Sequence, residues 1–223
     1  MIRANVSTNH RKWLTTKIFG KLSVVWFFYF LKHAKKKRGN LMEIKYDNIV
    51  KDVLVSHDEI VEISKRLGKQ ISEDYKDKNL VIIGMLVGGM PFMMELIKYI
   101  TIPVELDFIQ AKSYEGTCST NFVTFKKDVS IDIQNKHVLI VDDVIDTAQT
   151  ITKVIDVLSN RKTKSIELCC LLDKKEGRKV KYDAKYIGKE IPNVFIIGFG
   201  LDYLEYYRNL PYIATVKEEI LKK

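Results

Sequence analysis

Three aspartates and two threonines stand close together in the middle of the chain. Asp142, Asp143 and Asp146 follow an apolar run, Val138–Val141, and lead into Thr147, Ala148, Gln149 and Thr150. Four consecutive hydrophobics predict a buried strand, and Gln149–Leu158 reads as a helix. The turn that opens such a helix presents backbone N–H groups without intrahelical partners. With the helix dipole, those groups favour a phosphate, and Thr147 and Thr150 add hydroxyl donors. Asp142 and Asp143 would repel a phosphate in direct contact. They suit sugar hydroxyls, or a magnesium ion, which takes oxygen ligands. A site that wants a phosphate, a diol and a metal together is a site for a phosphorylated ribose. Taken singly, each carboxylate is an ordinary helix-start residue. The full pattern, four hydrophobics and then D-D-x-x-D-T-x-x-T, is far narrower.

The elements that must position this turn can be read around it. Ser56-His57-Asp58-Glu59 has the form of a capping box. Ile60, Ile63, Leu67 and Ile71 follow at helical spacing. Leu80–Ile83 is a short apolar run of the kind buried in a parallel sheet. Gly84–Gly89 is a glycine-rich turn, and Pro91 opens a helical stretch to about Ile100. Val104–Ile109, Val138–Val141, Ser165–Leu172, Val194–Ile197 and Tyr212–Val216 read as further strands. Residues 111–136 are polar, weakly periodic and long for a connection, as functional lids and disordered segments are. Strands alternating with helices predict an α/β fold with a largely parallel twisted sheet. Ligands then sit at the carboxyl ends of the strands.

Composition removes several other function classes. The 223 residues suit one α/β domain, and the net charge is +9. Residues 1–41 hold ten of the 37 Lys and Arg and no Asp or Glu, so 27 basic and 28 acidic groups remain in the body. The basic character belongs to the leader, and a near-neutral body gives no sign of nucleic-acid binding. Within the leader, Leu22–Leu31 is apolar, but a bilayer span needs about twenty residues, so no stable membrane insertion is expected. A peripheral anchor, an organellar address and upstream sequence read from too early a start are all open. The composition break before Met42 favours the last, with residues 42–223 as the folded domain. Cys118, Cys169 and Cys170 form no C-x-x-C, and an odd count argues against disulfides or zinc. A reducing, cytoplasmic setting is expected.

Val138–Thr150 resembles the phosphoribosyl-diphosphate signature of type I phosphoribosyltransferases, and the similarity runs from about Val53 to Val216. Leu86–Gly89 resembles the family's diphosphate-binding loop, and Lys112-Ser113-Tyr114 its mobile loop. Leu171–Lys174, Glu190–Pro192, Phe195–Gly198, Leu201–Tyr203 and Glu205–Arg208 resemble the purine-binding region of the hypoxanthine–guanine subgroup. The resemblance implies transfer of a phosphoribosyl group from phosphoribosyl diphosphate to N9 of a 6-oxopurine, with Mg2+ as cofactor. It implies a small purine-binding hood beside the sheet, and a homodimer or homotetramer.

The same resemblance assigns roles. Asp142 and Asp143 would bind the ribose hydroxyls and assist magnesium, with Asp202 as a further metal ligand beside the purine. Asp146 would act as acid or base at N7, and Asp146–Thr150 would hold the 5′-phosphate. Val87, Gly88, Ser113, Tyr114 and Arg208 would contact diphosphate. Lys174 would donate to the 6-oxo group, Phe195 would stack on the base, and Ile196 would offer backbone contacts. If both Asp142 and Asp143 serve one sugar, the strand must end or twist there, since neighbouring residues alternate faces. Two departures from the family pattern stand out. Val87 replaces a residue that is basic in many relatives. Ala148 replaces a common glycine, which is tolerable only if its φ stays negative. A transferase for xanthine or another base remains open, as does a nucleotide-sensing regulatory protein of the same fold.

Overall fold

The computed structural model describes residues 46, 48–112 and 124–221. These fall within one compact unit, Tyr46–Lys223. Helix α1, His57–Asp74, begins where the capping box predicts: Ser56 Oγ accepts from the Glu59 N–H at 3.2 Å. The stripe Ile60, Ile63, Leu67 and Ile71 is buried throughout. It packs against a central sheet with strand order β4-β3-β2-β5-β6-β7. The strands are β2 Leu80–Met85, β3 Val104–Lys112, β4 Thr124–Lys127, β5 His137–Ile145, β6 Ser165–Asp173 and β7 Tyr186–Glu190. All pairings are parallel except β3–β4.

The apolar runs are continuous because both faces of the sheet are covered. Leu80, Ile82, Leu139, Val141, Cys169 and Leu171 pack on the side of α1 and α2, Gly89–Leu96. The alternate residues Val81, Ile83, Val138, Ile140, Leu168 and Cys170 pack on the other side with α3, Gln149–Ser159. Burial raises both Cys169 and Cys170 thiols, which therefore behave as small apolar groups. A second, antiparallel sheet joins the two ends of the domain in the order β1-β9-β8. Its strands are β1 Val50–Val55, β8 Ile196–Ile197 and β9 Ile213–Val216. A short helix, α4, Glu218–Leu221, follows it.

Several boundaries differ from the sequence expectation. Residues 111–136 are not one long connection, because β4 lies within them and pairs with the end of β3. The strand expected at Val138–Val141 runs on through both aspartates to Ile145. The strand expected at Val194–Ile197 is only Ile196–Ile197, and the helix after Pro91 ends at Leu96 and tightens into a 3-10 turn over Ile97–Tyr99. β1 and β7 were not expected. β1 is mostly exposed, and β7 carries Gly188, Lys189 and Glu190, so neither shows an apolar run.

One buried charge fixes the base of the β3–β4 pair. Asp107 accepts from Lys127 Nζ at 2.8 Å and from the N–H groups of Phe108, Ser130 and Ile131. Burial alone would raise this carboxyl, but Lys127 and the three N–H groups outweigh it and hold it at about 2. Its stabilisation is complete above the unfolded-chain value of about 3.9 and is lost as the pH falls toward about 2. Asp107→Asn is expected to cost about 2 kcal/mol at neutral pH, read by urea unfolding. The gap from wild type should narrow between about pH 4 and pH 3; a gap independent of pH would contradict this account.

Candidate active site

The carboxyl ends of β2, β5 and β6 converge on the aspartate-rich turn. Asp142 Oδ1 accepts from the Asp143 N–H at 3.0 Å, and Asp143 Oδ1 from the Val144 N–H at 2.8 Å. Each carboxylate folds back on its own strand, and the two interact with one another. Burial raises the Asp142 carboxyl well above the usual carboxylate range, and the Asp143 charge adds to this. Burial also raises Asp143, opposed by its hydrogen bonds to Asp142 and the Val144 N–H and by the Arg208 charge. Of the two alternatives, an end or a twist of the strand at this pair, the first is not met: β5 continues to Ile145, and the pair is gathered by what packs on it.

That packing element is the Leu86–Gly89 loop. A Cβ on Gly88 would run into the Asp143 carboxylate, and one on Gly89 would lie 2.9 Å from the Val141 carbonyl oxygen. Glycine is required here because the loop backbone lies directly on the acidic pair. The Leu86–Val87 peptide is cis, and Val87 is 43% exposed. From above, a Cβ on Gly200 would collide with the Gly88 carbonyl. The C-terminal segment thus closes over the loop. It brings Arg208, which pairs with Asp202 at 2.9 Å and donates to the Gly200 carbonyl at 2.8 Å.

Beyond Ile145 the chain turns through Asp146, Thr147 and Ala148 into α3. Ala148 has φ 62° and ψ 3°, in the left-handed region. The expectation of a negative φ at this position is therefore wrong. The methyl is buried against the apolar layer under α3, which keeps alanine tolerable in a conformation that favours glycine. Among the described residues, nothing accepts from the N–H groups of Thr147 and Ala148. Thr147 Oγ1 lies 3.4 Å from the Gln149 N–H.

Facing the turn is Lys174. Its side chain is only 8% exposed, and its Nζ lies 3.4 Å from Asp146 Oδ2. It is not a surface lysine. Phe195 is 43% exposed, so it is not core. Its ring stands edge-on to Tyr203 with centroids 5.7 Å apart. Ile196 is buried in β8, paired with Thr215. Ser113 and Tyr114 lie outside the described residues.

A profile of the phosphoribosyl transferase domain matches residues 51–204. A hypoxanthine-guanine phosphoribosyltransferase of Streptococcus pneumoniae is 49% identical over 175 residues, covering 78% of this chain and 97% of that protein. A crystal structure of a hypoxanthine phosphoribosyltransferase from Staphylococcus aureus superposes with a TM-score of 0.77 at 44% identity, over 80% of this chain and 98% of that one. A Trypanosoma cruzi hypoxanthine phosphoribosyl transferase structure gives 0.75 at 33% identity, over 80% and 96%. The chain belongs to the phosphoribosyltransferase family.

In this phosphoribosyltransferase the structure gathers Asp142, Asp143, Gly88 and Arg208 on one side of the turn. Asp146 and Lys174 meet on the other. Among the described residues, no three acidic, histidine or cysteine side chains converge as a metal-holding group. Asp142, Asp143 and Asp202 therefore do not form a three-carboxylate cage. The acidic pair alone offers hard oxygen donors of the kind Mg2+ accepts when substrate phosphates and water complete its shell.

Two residues at the site were not singled out from sequence. Asp173, at the end of β6, is 1% exposed and pairs with Arg178. Arg178 Nη1 donates to the carbonyls of Ile145 and Asp146 at 2.8 and 2.7 Å. A signal existed: a carboxylate directly after the buried apolar run Leu168–Leu172 needs a counter-charge nearby, and Arg178 stands five residues on.

The Ala148 geometry makes a stability prediction. Ala148→Gly relieves about 1–2 kcal/mol of left-handed strain but loses a buried methyl worth about 0.8 kcal/mol and some chain entropy. The change in denaturation midpoint should correspond to less than about 1 kcal/mol. Ala148→Val, β-branched in the same region, should cost more than about 2 kcal/mol. Equal tolerance of both variants would contradict the assigned backbone.

Proposed function

We propose that this phosphoribosyltransferase transfers the 5-phosphoribosyl group of phosphoribosyl diphosphate to N9 of hypoxanthine or guanine, in purine salvage. The products are IMP or GMP and diphosphate. The observation that carries the base specificity is the buried Lys174 ammonium beside Asp146. An ammonium donates and cannot accept. It satisfies a 6-oxo group and leaves the 6-amino group of adenine without an acceptor, a penalty that grows with burial.

The remaining groups fall into consistent roles. The N–H groups and hydroxyls from Asp146 to Thr150 hold the 5′-phosphate at the start of α3. Asp142 and Asp143 accept from the ribose hydroxyls. With magnesium bound, the same pair holds the metal, which supplies charge neutralisation for the departing diphosphate. The backbone at Val87 and Gly88 and the Arg208 guanidinium bind that diphosphate, together with Ser113 and Tyr114. Because Val87 brings no charge, Arg208 supplies the positive side-chain charge among these groups. Phe195 offers its exposed ring to the purine face, Ile196 its backbone, and Asp202 orients Arg208. As the C1′–oxygen bond to diphosphate breaks, N9 bonds to C1′ and the N7 proton of the base passes to Asp146.

No helix among the described residues is long and apolar enough to cross a membrane. Met90 and Met94 on α2 and Leu106 on β3 are exposed apolar residues. They suit burial against a second copy in a homodimer or homotetramer.

Purified protein with hypoxanthine, phosphoribosyl diphosphate and Mg2+ should release diphosphate, and kcat/KM for hypoxanthine or guanine should exceed that for xanthine and adenine. Asp146→Asn should lower kcat by about a hundredfold or more with the fold intact. No turnover of any 6-oxopurine, or wild-type kcat in Asp146→Asn, would overturn the reading.

A further inference from the structure

Arg178 bridges the connection after β6 to the turn that leaves β5. Its Nη1 holds the carbonyls of Ile145 and Asp146. These belong to the two peptide planes on either side of the Asp146 Cα. Fixing both planes fixes the backbone from which the Asp146 carboxylate projects. The same guanidinium is anchored at its other nitrogens by the buried Asp173 carboxylate and, at 3.3 Å, by the Tyr182 carbonyl.

The neighbouring backbone continues the pattern. The Lys174 N–H donates to Ile145 O at 2.9 Å, and the Lys179 and Val180 N–H groups donate to Thr147 O at 3.1 and 3.2 Å. The Thr152 N–H takes Ala148 O at 3.1 Å. Every carbonyl from Ile145 to Ala148 is therefore engaged away from the turn's open side. A phosphate is repelled by carbonyl oxygens and attracted by N–H groups. A single peptide rotation here would exchange one for the other.

We propose that Arg178, held by Asp173, is a positioning residue that keeps carbonyls out of the phosphate cradle and sets Asp146 opposite Lys174. Its polar partners among the described residues are the Ile145, Asp146 and Tyr182 carbonyls and the Asp173 carboxylate. A point charge cannot replace it, because the two carbonyls and the carboxylate are reached by one planar fork. The proposal rests on the transferase reading for its kinetic consequences, but its binding consequence does not depend on turnover.

The test compares wild type with Arg178→Lys and Arg178→Gln. Arg178→Lys leaves a cation against the buried Asp173 and so protects the fold while removing the fork. Ribose 5-phosphate, titrated calorimetrically, should bind Arg178→Lys about tenfold more weakly than wild type. KM for phosphoribosyl diphosphate should rise and kcat should fall, each about tenfold, while KM for hypoxanthine stays within about twofold. Arg178→Gln should show the same split, enlarged. Unchanged ribose 5-phosphate affinity in folded Arg178→Lys would overturn the proposal. So would equal rises in both KM values, since these mark a general loss of structure. Absence of turnover in wild type that still binds ribose 5-phosphate in an Arg178-dependent way would sink the transferase reading and leave the clamp standing.

Discussion

The structure turns on one constraint: a peptide turn at the end of β5 must show donors to the outside and acceptors to the inside. Phosphate binding by backbone depends on that polarity. A strand running into a helix leaves its first N–H groups unpaired by geometry. What geometry does not supply is a destination for the carbonyls of the turn itself. Here the β6–β7 connection takes them, through Arg178 and through the N–H groups of Lys174, Lys179 and Val180. The cradle is the outer surface of a turn whose inner surface is fully bonded.

The second constraint is electrostatic. Asp142 and Asp143 are held together beside a glycine loop; burial resists the ionisation of both, and the Asp143 charge adds to this at Asp142. Such an arrangement costs stability in the free protein and is useful only with a partner that brings positive charge or hydroxyl donors. The cost is borne by a sheet covered on both faces, whose central strands bury the continuous apolar runs Val138–Val141 and Leu168–Leu172 just before their aspartates. Arg208 approaches the pair from the C-terminal segment but is restrained by Asp202 and Glu205. A diphosphate between them would satisfy the guanidinium and the loop N–H groups together.

Much of this was legible in the residues. The capping box at Ser56 marks the start of α1, and the apolar runs at Leu80, Val138 and Leu168 mark the central strands, because burial on both faces leaves no alternation to misread. The aspartate turn reads directly, since its residue types are its chemistry. Other features were not legible for physical reasons. β5 continues through Asp142 and Asp143, and polarity at a strand end cannot distinguish a ligand-bearing strand from a turn. β7 is an edge strand with a glycine and two charges, held by pairing that single-strand patterning does not show. The left-handed backbone at Ala148 is hidden because an alanine methyl reports burial, not φ. For Arg178 the residue types announce only the pairing with Asp173; the Ile145 and Asp146 carbonyls it also holds are groups that every residue owns.

The claim that everything else depends on is that the turn from Asp146 to Thr150 holds the phosphate while Asp142 and Asp143 hold the ribose. A crystal structure with bound GMP tests it most directly. The account places the 5′-phosphate oxygens about 3 Å from the N–H groups of the turn, with the ribose hydroxyls against the acidic pair and the 6-oxo group at Lys174. A nucleotide bound elsewhere with the turn empty, or a carbonyl of residues 145–148 facing the phosphate, would contradict it.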